Sequence, residues 1–131
     1  MHSKAVLEHS DVTRIMAAAR AEALAGNWAV SIAVVDDGGH LLALERLDGA
    51  APSTARLAPA KAVTAALGRR ESRLYEESIA GRLAFLSAEG FTCLEGGVPV
   101  IHQGQVIGAV GVSGVKSSDD ARIAKAGIAA L

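Results

Sequence analysis

Two cations and a set of spaced glycines carry most of the chemistry this sequence offers. Glu45–Ala50 reads ERLDGA, and Lys61 follows within PAKAVTAA. A guanidinium grips a carboxylate in a two-pronged fork, so Arg46 and Lys61 suit a carboxylated ligand, with Asp48 placed to orient one of them. A lysine among alanines can also lose its proton more readily and act as a nucleophile or proton-transfer group. The same lysine can instead lay its stem on apolar surface and keep its head in water. The plain alternative for ERLDGA is a strand end with solvated charges. Downstream, LEGGVPVIHQGQVIGAVGVSG (Leu94–Gly114) holds two apolar runs beside paired or spaced glycines. Gly96 and Gly97 with Val98 and Pro99 mark an unusual strand start, since proline donates no ladder hydrogen bond. Gly114 follows Ser113 ahead of a helix start, where free amides favour an anion. These glycines either punctuate turns and close packing or leave bare backbone open to a ligand.

The remaining reactive side chains are sparse. The histidines are His2, His9, His40 and His102, and none forms a helical ligand pair. With Cys93 as the only cysteine, a structural zinc site is not expected. His40 and His102 fall at turns or strand edges, where either could ligate haem iron axially or simply be an exposed turn histidine. Cys93 reads as a small buried hydrophobe. GVSGV around Ser113 lacks the last glycine of a nucleophile elbow, and no Walker-type phosphate loop occurs.

Composition narrows the classes. The chain has 131 residues, fitting one domain, and 50% are hydrophobic. A net charge of -1 gives no field for nucleic acid or anionic membrane. Trp28, Tyr75, Phe85 and Phe91 are too few for a base-stacking platform. The first residues lack the apolar run of a secretory signal, and no stretch approaches the roughly twenty apolar residues that span a bilayer. A lone cysteine fits a reducing compartment. The expectation is a cytoplasmic protein.

The elements that must position these groups follow from periodicity. Val12, Ile15, Met16, Ala19 and Ala23 form one helical stripe, capped at Ser10 or Asp11 and stopped at Gly26-Asn27. WAVSIAVVD and HLLALERLD pair antiparallel around Asp37-Gly38-Gly39. Pro59 predicts a regular helix from near Ala58 to Gly68, with an irregular turn before it. ESRLYEESIA forms a short helix, and GRLAFLSAEG a loop. Phe91–Leu94 is expected as a short strand, followed by strands VPVIH and QVIGAVGVS joined at Gln103-Gly104. The last helix starts with a capping box, Ser117 with Asp120. Strands joined this tightly cannot be parallel, which gives an α+β domain with helices on an antiparallel sheet. The alanine-rich helix faces bury little area each, so oligomerisation would help.

SIAVVDDGGHLLALERLDGA, AKAVTAALGRR, LEGGVPVIHQGQVIGAVGVSG and DDARIAKAGIAAL, in that order, resemble the GlcG/HbpS family of haem-degrading and haem-binding-like domains, with the GlcG branch nearest. The likeness runs from about Ser10 to the C-terminus. It implies a profilin-like or PAS-like fold, a five-stranded antiparallel sheet flanked by helices, and homo-oligomers that include octamers. It also implies haem as a cofactor for some members. Carried onto matching positions, it gathers the RLDGA end, Lys61 and the Gly96-Gly97-Val98-Pro99 segment around one pocket, with Ser113 and Gly114 nearby.

Three functional expectations result. The first is an oligomeric binding protein for a small anionic ligand or haem, with Arg46 and Lys61 on carboxylates and His102 or His40 on iron. The second is an enzyme on a small oxo- or hydroxy-acid, with Lys61 or Asp48 moving the proton and Arg46 holding the carboxylate. The third is an assembly module without a ligand.

Overall fold

The computed structural model describes residues 1–131. Helix α1 (His9–Ala25) buries Val12, Ile15, Met16, Ala19 and Ala23, the expected stripe. Its cap lies two residues earlier than Ser10, at Glu8, whose backbone N–H donates to Asp11 Oδ2 at 2.8 Å. Strands β1 (Ser31–Asp36) and β2 (Leu41–Arg46) form the first hairpin, with a register shift at Val34/Val35. Helix α2 (Thr54–Gly68) and helix α3 (Ser72–Ile79) follow. Strands β3 (Gly97–His102) and β4 (Gln105–Ser113) make the second hairpin, and α4 (Ser117–Ile128) closes the chain.

The architecture is α+β, with one antiparallel sheet in the order β2-β1-β4-β3. It has four strands rather than five. Phe91–Leu94 is not a strand, because its groups are satisfied elsewhere. Thr92 N–H donates to Thr64 Oγ1 on α2 at 2.7 Å, and Cys93 is buried. Phe91 joins Tyr75 and Phe85 in an aromatic cluster with ring centroids 5.2–5.4 Å apart. Phe85 comes from a 3₁₀ helix, Leu83–Ser87, in the stretch expected as loop.

Helix α2 also begins earlier than Pro59 suggested. Thr54 Oγ1 donates to the Ala51 carbonyl at 2.6 Å, and Leu57 N–H to Ser53 O at 3.0 Å. The first turn is therefore closed before the proline, which removes only one later backbone donor.

The two sheet faces differ in kind. Helices α1 and α4 cover one face over a core that includes Ile15, Ile32, Val34, Val110, Val112 and Ile123. Helix α2 covers the other over a thin alanine layer, Ala62, Ala65, Ala66 and Ala109 with Val35. The glycines explain that thinness. A Cβ on Gly111 would stand 2.0 Å from the Ala58 carbonyl oxygen, and one on Gly97 would stand 2.1 Å from that of Lys61. Helix backbone thus lies directly on strand backbone, and only hydrogen fits between them.

Candidate functional site

Helix α2 carries Lys61 inward to the start of β3. The residue is 4% exposed. Its Nζ donates to the Val112 carbonyl at 3.0 Å and to Asp120 Oδ2 at 3.1 Å. Asp120, 2% exposed, accepts the Val115 N–H on Oδ1 at 3.2 Å. Burial pushes the Asp120 carboxyl above its ordinary range, against the downward pull of Lys61 and the nearby amides. The double-glycine bend closes over this pair. Gly96 lies at φ 132, and a Cβ there would stand 2.9 Å from Lys61 Cδ and 3.0 Å from its Nζ. Lys61 and Gly96-Gly97 therefore meet, and Asp120 of α4 is the partner that the sequence reading missed.

The expected Ser117–Asp120 capping box does not form. Lys116 is the cap residue, Ser117 already lies inside the helix, and neither hydroxyl nor carboxylate caps that terminus. Asp120 instead shares the buried face of α4 with Ile123, Ala124 and Gly127. That i, i+3, i+4, i+7 spacing, with one carboxylate in an apolar stripe, was the signal available in the sequence.

Arg46 and Asp48 stand apart from this cluster. Both are exposed. Arg46 pairs in register with Ser31, which pairs with Ser113, so β1 and β4 lie between Arg46 and β3. Three strand spacings amount to about 14 Å. Asp48 borders a separate hollow of about 200 Å³ beside Trp28 and Asn27. Ser113 is buried, and Gly114, at φ 148, would place a Cβ 2.5 Å from the Ala29 carbonyl. Val98 is buried in the core, and Pro99 lies on the sheet-edge strand β3, where a missing N–H is tolerated. None of the four cavities is lined by Lys61, Gly96, Gly97, Ser113 or Gly114.

A cleft lined mainly by hydrophobic residues lies at the far end of β3. It has a volume of about 390 Å³ and eight of its eleven lining residues are hydrophobic. The N-terminal arm (Ala5, Val6, Leu7) forms one wall, β3 and β4 (Ile101, Ile107) a second, and Ile128 and Leu131 a third. His102 and the Arg14–Asp11 ion pair, 2.7 Å apart, supply its polar groups. The arm is anchored by Leu7, whose Cδ1 fills the space at Gly108 that a Cβ would need, 2.5 Å away. His40 sits elsewhere, at the β1–β2 turn, with Nδ1 3.1 Å from Asp36 Oδ1, and lines no cavity. No group of three or more His, Cys, Asp or Glu side chains is arranged to chelate a free metal ion. Burial raises the Cys93 thiol above its ordinary pKa, so that group stays protonated.

Comparison with known proteins agrees with this architecture. A protein-family model described as haem degrading protein HbpS-like matches residues 7–129. Protein GlcG of Escherichia coli K12 is 56% identical over 114 residues, covering 86% of this chain and 85% of that protein. Among solved structures, a Streptomyces reticuli HbpS double mutant superposes with a TM-score of 0.92 at 32% identity, covering 100% of this chain and 90% of that one. A PduOC–haem complex superposes with a TM-score of 0.89 at 26% identity, covering 97% and 96%. With the family model and the GlcG likeness both spanning most of its length, the chain belongs to the HbpS-like family.

Proposed function

We propose that this protein binds haem in the cleft at the end of β3, and that it works as a cytoplasmic homo-oligomer. The observation that carries the reading is the cleft itself: a hollow lined mainly by hydrophobic residues, with a single exposed imidazole, His102, on its rim. A porphyrin needs apolar walls and one axial nitrogen, not a chelating cluster, and the donor set here offers that. His102 would hold the iron, and Ile101, Ile107 and Leu131 would exclude water from the ring. Haem held there would supply iron-centred redox and ligand-binding chemistry. The PduOC–haem complex supports haem as the ligand class for this fold.

Oligomerisation is supported by the edge strand β2, which leaves Leu41, Leu42 and Leu44 exposed and one row of backbone groups unpaired. A cytoplasmic setting is supported by the free thiol of Cys93. Titration with hemin should give a shifted Soret band. His102→Ala should change that band and His40→Ala should not. Absence of a Soret shift in the unmodified protein, or a band indifferent to His102→Ala, refutes the assignment.

A small-acid enzyme centred on Lys61 is the second reading, favoured by the buried lysine–carboxylate pair with its raised Asp120 pKa. Turnover lost in Lys61→Met, with the fold retained, would support it.

A further inference from the structure

A second hollow adjoins the apolar cleft. It has a volume of about 440 Å³, and Ile101 lines both. The walls of this hollow are more polar: His2, Lys4, Arg69 and Gln105 supply side chains beside Ile101 and Val106, with the β3–β4 turn at Gly104. The N-terminal arm joins the two spaces, since His2 and Lys4 face the polar hollow and Ala5, Val6 and Leu7 the apolar one.

Charge distinguishes the two hollows. In the apolar cleft, Arg14 is committed to Asp11 and the pair is neutral. In the polar hollow, two cations share one carboxylate. Lys4 Nζ bonds the Asp37 carboxylate. Arg69 Nη1 donates to the Asp37 and Ala66 carbonyls at 2.6 and 3.0 Å, while Nη2 stays 4.0 Å from Asp37 Oδ2. No carboxylate lines the hollow itself, where His2 stands beside the two cations, while the Asp36 carboxylate next to Asp37 is held by His40. The Arg69 backbone sits in the left-handed region at φ 60, a position that glycine would fill without strain. Arg69 therefore ends α2 with its guanidinium turned toward the β1–β2 turn and the hollow.

Resting on the haem reading above, we infer that Lys4 and Arg69 form an anion subsite that receives a propionate of a porphyrin seated in the adjoining cleft. The ring occupies the apolar side of Ile101 and a carboxylate crosses to the polar side. Arg69 Nη2 and the Lys4 ammonium exchange part of their contact with Asp37 for the incoming carboxylate. The selectivity is for porphyrins with free carboxylates over those whose carboxylates are esterified.

The test compares hemin with its dimethyl ester by Soret titration, and iron-free protoporphyrin by fluorescence. Arg69→Gly, which suits the backbone at that position, and Lys4→Met, on the arm outside any helix, remove one cation each. Each should weaken hemin and protoporphyrin about tenfold and leave the ester at its unmodified affinity. His102→Ala should weaken hemin and the ester together and leave iron-free protoporphyrin unchanged. An unaltered hemin-to-ester affinity ratio in both Arg69→Gly and Lys4→Met overturns the subsite while leaving the haem reading in place. Failure of the unmodified protein to shift the Soret band with either iron porphyrin overturns the haem reading first.

Discussion

Breaking the Lys61–Asp120 pair should be the most damaging single change at the glycine bend, and changing both partners should be much less damaging than the separate losses imply. In Asp120→Ala, the Lys61 ammonium keeps only the Val112 carbonyl at 3.0 Å, and the Val115 amide loses its acceptor. In Lys61→Met, the Asp120 carboxyl is left with backbone amides alone in a site 2% exposed. Leaving one buried charge without its partner costs about 3–5 kcal/mol. A domain of this size has a total stability of about 5–15 kcal/mol. The expected fall in Tm is about 10–20 °C. Lys61→Met with Asp120→Ala removes both charges, so the cycle should show a coupling of about 2–3 kcal/mol in urea unfolding. The double variant should also bind hemin like the unmodified protein, because the cleft lies the length of β3 away, six residues or about 20 Å. Additive losses would refute the buried-pair argument. Loss of hemin binding in a folded double variant would instead make Lys61 part of the ligand site.

Two other outcomes concern the neighbourhood of the same buried pair. Gly97→Ala would force a Cβ to 2.1 Å from the Lys61 carbonyl oxygen, backbone against backbone, and should cost about 1–3 kcal/mol or more. Gly81→Ala, with nothing within 4 Å, is the neutral control in the same urea assay. The pH dependence of Asp120→Asn should isolate a second effect. Burial raises the Asp120 carboxyl above the usual 3.8, so its stabilising contribution is complete below that value and is lost as pH rises through the folded-state pKa. Asp37 and Glu45, lowered chiefly by hydrogen bonds from Lys4 and Arg20, act in the opposite sense and lose stability as pH falls. They are common to both proteins and cancel. The advantage of the unmodified protein over Asp120→Asn should therefore shrink as pH rises from about 3.8, and a widening gap would contradict the direction.

Periodic segments were legible in the sequence, and compensated ones were not. The α1 stripe, both hairpins and the turn at Gln103-Gly104 follow from spacing and turn chemistry that act over a few residues. Pro59 misled because Thr54 and Ser53 had already closed the turn ahead of it. The fifth strand failed because Thr92 found a side-chain acceptor on α2, a tertiary partner that no local pattern announces. The meeting of Lys61 with the double glycine was readable as a likeness of motifs, but its chemistry was not. Asp120 lies 59 residues further on, and its N-terminal position in α4 gave it a local role that it does not fill.

That displacement of chemistry has a physical cause. Glycines admit a ligand only where their missing side chains leave space, and here the space is taken. Val112 O, Lys61 O, Ala58 O and Ala29 O stand 2.0–2.6 Å from where a Cβ on Gly96, Gly97, Gly111 or Gly114 would be. A bend filled by carbonyl oxygens is also hostile to an anion, which those oxygens repel. Lys61, the cation beside it, is already bonded to a carboxylate. At the other end of β3 the conditions reverse. The N-terminal arm crosses there, and Ile101 stands exposed between a hollow lined mainly by hydrophobic residues and one lined by two cations and no carboxylate. An amphipathic anion is matched there on both counts, so a ligand that binds this fold by contact with side chains should choose the hairpin end over the glycine bend.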